Sequence, residues 1–347
     1  MRKKAILLVF SVTVLFFVYS EAQNATGKKG LFAAGKWQIE IQGGWSAVSP
    51  RCLNMFAQYY QKTTSFLTLD SYKYEQQKFG NKYSYSLSLD AKNAFRELKN
   101  AFPLGITLRY HVSRRFDFSF GLSYVSGKAQ SFYHASIDTK TVPPDSYGTW
   151  GLDDVDVRDL TYDDTSTSVQ SWIPSVGVHY RMLQSSIFNT ELFAAAGPIF
   201  ASFEHTYHEF DKYTFPDGFW FAWEDRGLYT GKGVGIALFC GGRLGWKLSS
   251  RFELFTTAGY ALLSVPKVTG SMEMNSRFLD VEAKPPQFTR RESTGTWYYY
   301  PAYYGRDWGY LIIDRPMTAD VPPSQYFENF EINLSGFRLQ AGIAFKL

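Results

Sequence analysis

The sequence predicts an all-β fold, a transmembrane antiparallel up-and-down β-barrel with eight strands, short turns at one end and four long loops at the other. Three observations carry that expectation. Eight segments alternate between apolar and polar residues, their connections alternate between short and long, and their apolar faces carry large side chains, mostly aromatic, eight residues apart. Ten or twelve strands are the alternatives.

The chain begins with a basic head, Arg2, Lys3 and Lys4, followed by the apolar run Ala5 to Tyr19. Ser20 and Ala22 are small residues three and one positions before a cut after Ala22, so residues 1-22 read as a cleaved signal peptide. The run is shorter than the roughly 20 residues that a spanning helix needs. No Cys follows it, which disfavours a lipoprotein. Residues 23-347 are expected to form a single barrel domain.

The leader carries Arg2, Lys3, Lys4 and Glu21, so its removal lowers the formal charge from +4 to +2. That near balance argues against a nucleic-acid partner, which needs a basic face. Cys52 and Cys240 are too few for a disulfide framework and read as free thiols, with a single bridge as the alternative.

The last strand shows the pattern most plainly: Phe337, Leu339, Ala341, Ile343, Phe345 and Leu347 lie on one face, Arg338, Gln340 and Lys346 on the other. Trp37 to Trp45, Phe102 to Tyr110, Phe116 to Tyr124, Trp172 to Met182, Val234 to Leu248 and Phe252 to Leu262 repeat it. Leu192 to Phe200 follows less cleanly, since Phe193 and Ile199 fall on its polar side. Short joins lie at Ser113 and Arg114, near Gln184 to Phe188, and at Ser249 and Ser250. The expected long loops are 49-101, 126-170, 204-232 and 264-333. Arg115 and Arg251 each open a strand of similar grammar after a short turn, RFDFSFGLSY and RFELFTTAGY.

Six strands pair aromatics eight apart: Trp37 with Trp45, Phe102 with Tyr110, Phe116 with Tyr124, Trp172 with Tyr180, Phe252 with Tyr260 and Phe337 with Phe345. Eight residues at roughly 3.3 Å, tilted about 40°, rise about 20 Å, near the roughly 25 Å apolar band of an outer-membrane barrel. A soluble barrel or sandwich would show the same alternation with inside and outside exchanged. The girdle spacing, the glycines on the polar face and the apolar end of the last strand favour the membrane barrel.

The leader, the short-turned hairpins and the final LSGFRLQAGIAFKL resemble the small outer-membrane β-barrels of Gram-negative bacteria, in the broad OmpA-like and OmpW-like group. The resemblance covers the strands and none of the long loops. It implies residence in the outer membrane, contact with its lipid and lipopolysaccharide, and assembly by the barrel-insertion machinery. The usual signal for that machinery is a terminal aromatic, which here becomes Leu347 with Phe345 two before it.

On the polar face stand Glu40, Asp117, Glu191 and Glu253 and, opposite in sign, Arg109, Arg181, Arg243, Lys247 and Arg338. Charges enclosed in low dielectric need partners, so they are expected to form one internal salt-bridge network in a lumen that side chains fill. The alternative is a selectivity ring in a pore.

The remaining motifs lie between the strands. Ser65 to Tyr74 and Lys82 to Leu89 alternate without a clear apolar face and suggest an extension of the barrel wall, and Pro50 to Gln61 suggests a short helix capped by Ser49. His134 and Ser136 are reminiscent of outer-membrane lipid A deacylases, but Gly148 stands where the orienting carboxylate belongs, with Asp145 and Asp153 only nearby. His205 and His208 beside Glu204 and Glu209 lack a scaffold to hold a metal. The acidic run with Asp153, Asp154, Asp156, Asp159, Asp163 and Asp164 has no EF-hand order and reads as a solvated loop. TWYYYPAYYGRDWGY, from Thr296, breaks alternation inside the fourth loop. Trp297, Tyr299, Tyr303 and Trp308 there are candidates for binding an extracellular ligand, or for a small core over the barrel mouth.

No cofactor or metal is expected. The expected function is a non-enzymatic barrel that displays large loops for surface recognition, adhesion or envelope integrity. A channel for small or hydrophobic solutes and a lipid-modifying enzyme are the alternatives.

Overall fold

The computed structural model describes residues 37–48, 50, 53–54, 85–113, 115–141, 157–214, 218–280, 287–300, 310–313 and 328–347. The leader lies outside them. The described strands, in chain order, are β1 (Trp37–Ala47), β2 (Tyr85–Arg96), β3 (Asn100–His111), β4 (Phe116–Thr141), β5 (Val157–Gln184), β6 (Phe188–Thr214) and β7 (Trp220–Lys247). They continue with β8 (Phe252–Val265), β9 (Thr269–Asp280), β10 (Gln287–Tyr300), β11 (Tyr310–Ile313), β12 (Glu328–Asn329), β13 (Ile332–Asn333) and β14 (Gly336–Lys346).

Eight of these strands close on themselves. Antiparallel pairing runs β7-β6-β5-β4-β3-β1-β14-β8, and β8 returns to β7 from Ile236↔Ser264 to Lys247↔Glu253. Closure removes the exposed edges that an open sheet would leave. The pleat then sorts the side chains. Ile41, Leu104, Phe120, Val176, Leu192, Ile236, Leu254 and Ile343, one on each ring strand, all face outward, and Ile41 and Phe102 are 63% and 62% exposed. Cys240 is a free thiol on the same outer face.

One device ends all three short hairpins. Ser113, Ser185 and Ser249 each stand three residues before Phe116, Phe188 and Phe252, and each hydroxyl oxygen accepts from that Phe amide at 3.0 Å. The amide one residue earlier in the chain donates to the same oxygen at 3.2 Å in every case. A serine that satisfies two turn amides holds a tight reversal where the strands leave no other acceptor. The sequence grammar showed two of these turns; the third, Ser185-Ser186-Ile187-Phe188, lacks the Arg and was not grouped with them.

At the opposite end the described residues of the expected loops are largely strand. β4 to β7 run for 26, 28, 27 and 28 residues, about twice the length the ring requires. Their outer halves form an open wall in the order β2-β4-β5-β6-β7-β9-β10-β11. β7 makes the hand-over: Ile236 to Lys247 pair with β8 in the ring, Phe221 to Lys232 with β9 in the wall. β2, which contains Tyr85 to Leu89 of the weakly alternating segment, pairs with β4 from Tyr85↔Thr141 to Arg96↔Gln130 and so belongs to the wall. Ser65 to Tyr74 lie outside the described residues. Of the expected helix Pro50 to Gln61, only Leu53 and Asn54 are described as helical.

Two glycines of β7 show how the hand-over is packed. Gly231 pairs with Phe203 and Gly227 with Tyr207, and a Cβ at either glycine would collide with its partner's ring. The rings lie flat over the bare backbone, which pins the register of β6 on β7.

Candidate functional site

The interior of the ring is layered. Nearest the short turns, seven consecutive ring strands each contribute one inward charge, and the signs alternate: Glu40 on β1, Arg109 on β3, Asp117 on β4, Arg181 on β5, Glu191 on β6, Arg243 on β7, Glu253 on β8. Arg109 is the hub. Its Nη1 donates to Glu40 at 2.8 Å, and its Nη2 to Asp117 and to Glu191, both at 2.7 Å. Arg181 reaches Asp117 at 2.7 Å; Arg243 reaches Glu40 at 3.1 Å and Glu253 at 2.6 Å. Gln38 donates to Glu40 and Asn189 to Glu253, so the carboxylates also gain neutral partners. Ions withdrawn from water are tolerated only with such counter-charges and donors around them.

Two of the nine charges stand outside this tier. Lys247 Nζ donates to the Ser185 carbonyl at 2.5 Å, at the rim beside the short turn. Arg338 is displaced for a reason the register makes plain. The β14 residue level with Glu40 and Glu253 is Ala344, and Arg338 pairs instead with Ser46 and Gly259. Six residues of strand put it roughly 20 Å away along β14. Sign and facing alone had grouped it with the others.

Farther from the turns the inward face changes character. Val125, Val169, Ile173, Ile199, Phe203, Leu263 and Val265 point in from the strands, and Leu53, Leu98, Phe330, Ile332 and Leu334 fill the space between them. Trp297 belongs to this core. It is 0% exposed, its ring lies 5.9 Å from Phe203 and 5.6 Å from Tyr229, and its Nε1 donates to the Thr230 carbonyl at 2.8 Å. As a candidate ligand-binding residue Trp297 is therefore corrected to a core residue. Tyr299 lies on β10 opposite Leu311 and Glu328, within a strand where the broken alternation had suggested a loop. Tyr303 and Trp308 lie outside the described residues.

The wall holds a third group. Asp163 on β5, Glu209 on β6 and Asp225 on β7 are direct cross-strand partners on one face, and Asp163 is 2% exposed. The expected solvated acidic loop is thus in part a strand; Asp159 and Asp164 also lie on β5, whereas Asp153, Asp154 and Asp156 lie outside the described residues. Burial, reinforced by Asp211, Asp163 and Asp225, pushes Glu209 up to about 7. Burial also raises Asp211. Burial pushes His205 down to about 3, and Thr167 hydrogen-bonds it at 2.6 Å.

The pleat separates the two histidines read as potential ligands. His205 faces inward, while His208 faces outward and lies 2.9 Å from Glu224. No group of three metal-ligating side chains converges among the described residues. His134 does have a carboxylate, Asp164, at 3.0 Å, brought from the neighbouring strand rather than from the local sequence. Among the described residues no hydrogen bond joins it to Ser136.

No family model matches the chain, and no curated protein matches it. Among solved structures it is similar to the outer membrane protein OprG from Pseudomonas aeruginosa, at 11% identity and a TM-score of 0.27, over 90% of this chain and 97% of that one. A likeness so low adds nothing to what the closed strand register already shows.

Proposed function

We propose that this chain is an integral outer-membrane barrel with a sealed lumen, and that its function resides in the β wall carried beyond the bilayer. The observation that supports this reading most directly is the belt of exposed apolar side chains on a closed ring whose interior is ionic at one end and apolar at the other. Water would penalise that belt heavily, whereas lipid accepts it. The short turns then face the periplasm, and the wall stands on the cell surface. Strands of 26 to 28 residues, tilted about 40°, rise about 65 to 70 Å, so about 40 Å extend past the apolar band.

On the outer face of that wall Glu224 is ringed by Arg226 at 2.6 Å, by Arg277 and by His208. Arg226 and Arg277 remain partly exposed and suit the anionic headgroups of lipopolysaccharide. The wall itself is the surface for recognition or adhesion, and assembly uses the barrel-insertion machinery.

Planar-bilayer recording tests the sealed lumen. The expected trace is flat, and reproducible unitary openings would convert the protein into a channel. Fractionation with heat-modifiable gel migration tests the location; recovery as a soluble periplasmic protein would overturn the membrane reading.

A further inference from the structure

Between the ionic tier and the apolar core the ring encloses a cavity of about 70 Å³. Glu40 and Arg243 of the ionic tier close one side of it, Phe193 and Phe239 lie against it, and Gln42, Gln340, Ser123 and Thr257 supply neutral polar groups. The one charge there outside the ionic tier is Arg338. This side chain is 5% exposed, its Cζ lies 5.0 Å over the ring of Phe239, and its Nε and Nη2 have no hydrogen-bond partner. The four carboxylates of the ionic tier already have their cations, and among the described residues none pairs with Arg338. A guanidinium cannot relieve its burial by losing a proton.

We propose that this cavity is a binding site for a small anion of halide or nitrate size, held by the Nε and Nη2 edge of Arg338. The amides of Gln42 and Gln340 and the hydroxyls of Ser123 and Thr257 complete the shell, because both groups turn to donate when an anion is present. A water takes roughly 10–15 Å³ of such a volume, so the cavity admits one small anion with a few waters. The bound anion supplies the counter-charge that Glu40 and Glu253, each already paired with Arg243, do not give Arg338. The site is independent of the membrane reading, since it depends only on the interior of the ring.

The test uses the full folded chain in detergent and follows the temperature at which the folded gel band is lost. Chloride and lactobionate, an anion too large for the cavity, are compared at matched ionic strength. Chloride is expected to raise that temperature saturably, by about 3 °C. Arg338→Met should abolish the difference and should be at least as stable as the native chain in lactobionate. A crystal soaked in bromide should show an anomalous peak within hydrogen-bonding distance of Arg338. Equal stability in the two salts, or water alone beside Arg338, overturns the proposal. If Arg338→Met fails to fold, the salt comparison on the native chain and the bromide peak still decide.

Discussion

The ring and the wall are built from the same continuous strands, yet they treat inward charge in opposite ways. In the ring, neighbouring strands present opposite signs, and Arg109 alone serves three carboxylates. In the wall, β5, β6 and β7 place Asp163, Glu209 and Asp225 side by side with no alternation of sign. Like charges directly opposite one another destabilise a sheet. The ring's ions therefore serve closure of the barrel, while the wall keeps an arrangement that closure alone would not favour. Such local cost is expected where a surface has another task.

The largest way to break this contrast is Arg109→Met. It strands Glu40, Asp117 and Glu191 with fewer cations in a buried site, and should cost about 3–5 kcal/mol in urea unfolding of the refolded protein. A loss below about 1 kcal/mol would show that the ionic tier is wetter than the structure implies.

Glu209→Gln should do the reverse. An unfolded Glu releases its proton near 4.5, whereas Glu209 in the fold holds it to about 7. Across that window the folded state binds the extra proton, so raising the pH removes stability. The variant should gain on the order of 1 kcal/mol at pH 8, after solvent screening, and nothing at pH 4. A gain that is the same at both pH values would assign the effect to packing rather than to charge.

The smallest effect is expected at the short turns. Ser249→Ala removes one acceptor from the Arg251 and Phe252 amides and should cost about 0.5–1.5 kcal/mol, measured in the same unfolding assay. Ser113→Ala and Ser185→Ala should match it, since the three turns share one geometry.

The ring was legible because a pleated strand has a period of two and the outward face of every ring strand is apolar. Phe193 and Ile199 looked like defects in that pattern. They are instead inward residues, Phe193 beside His179 and Ile199 in the apolar core. The wall was not legible, because both of its faces are mixed and alternation carries no information there. The aromatic run reads as irregular in the sequence, although β10, which ends at Tyr300, covers its first five residues.

Sequence alone determined that this chain alternates, where its short turns fall and which charges face inward, since each follows from local spacing. Only the tertiary structure decided that seven of those charges meet and Arg338 does not, because depth in a barrel is set by register across strands. It also decided that Trp297 closes the interior instead of facing outward, because burial depends on what the rest of the chain packs against it.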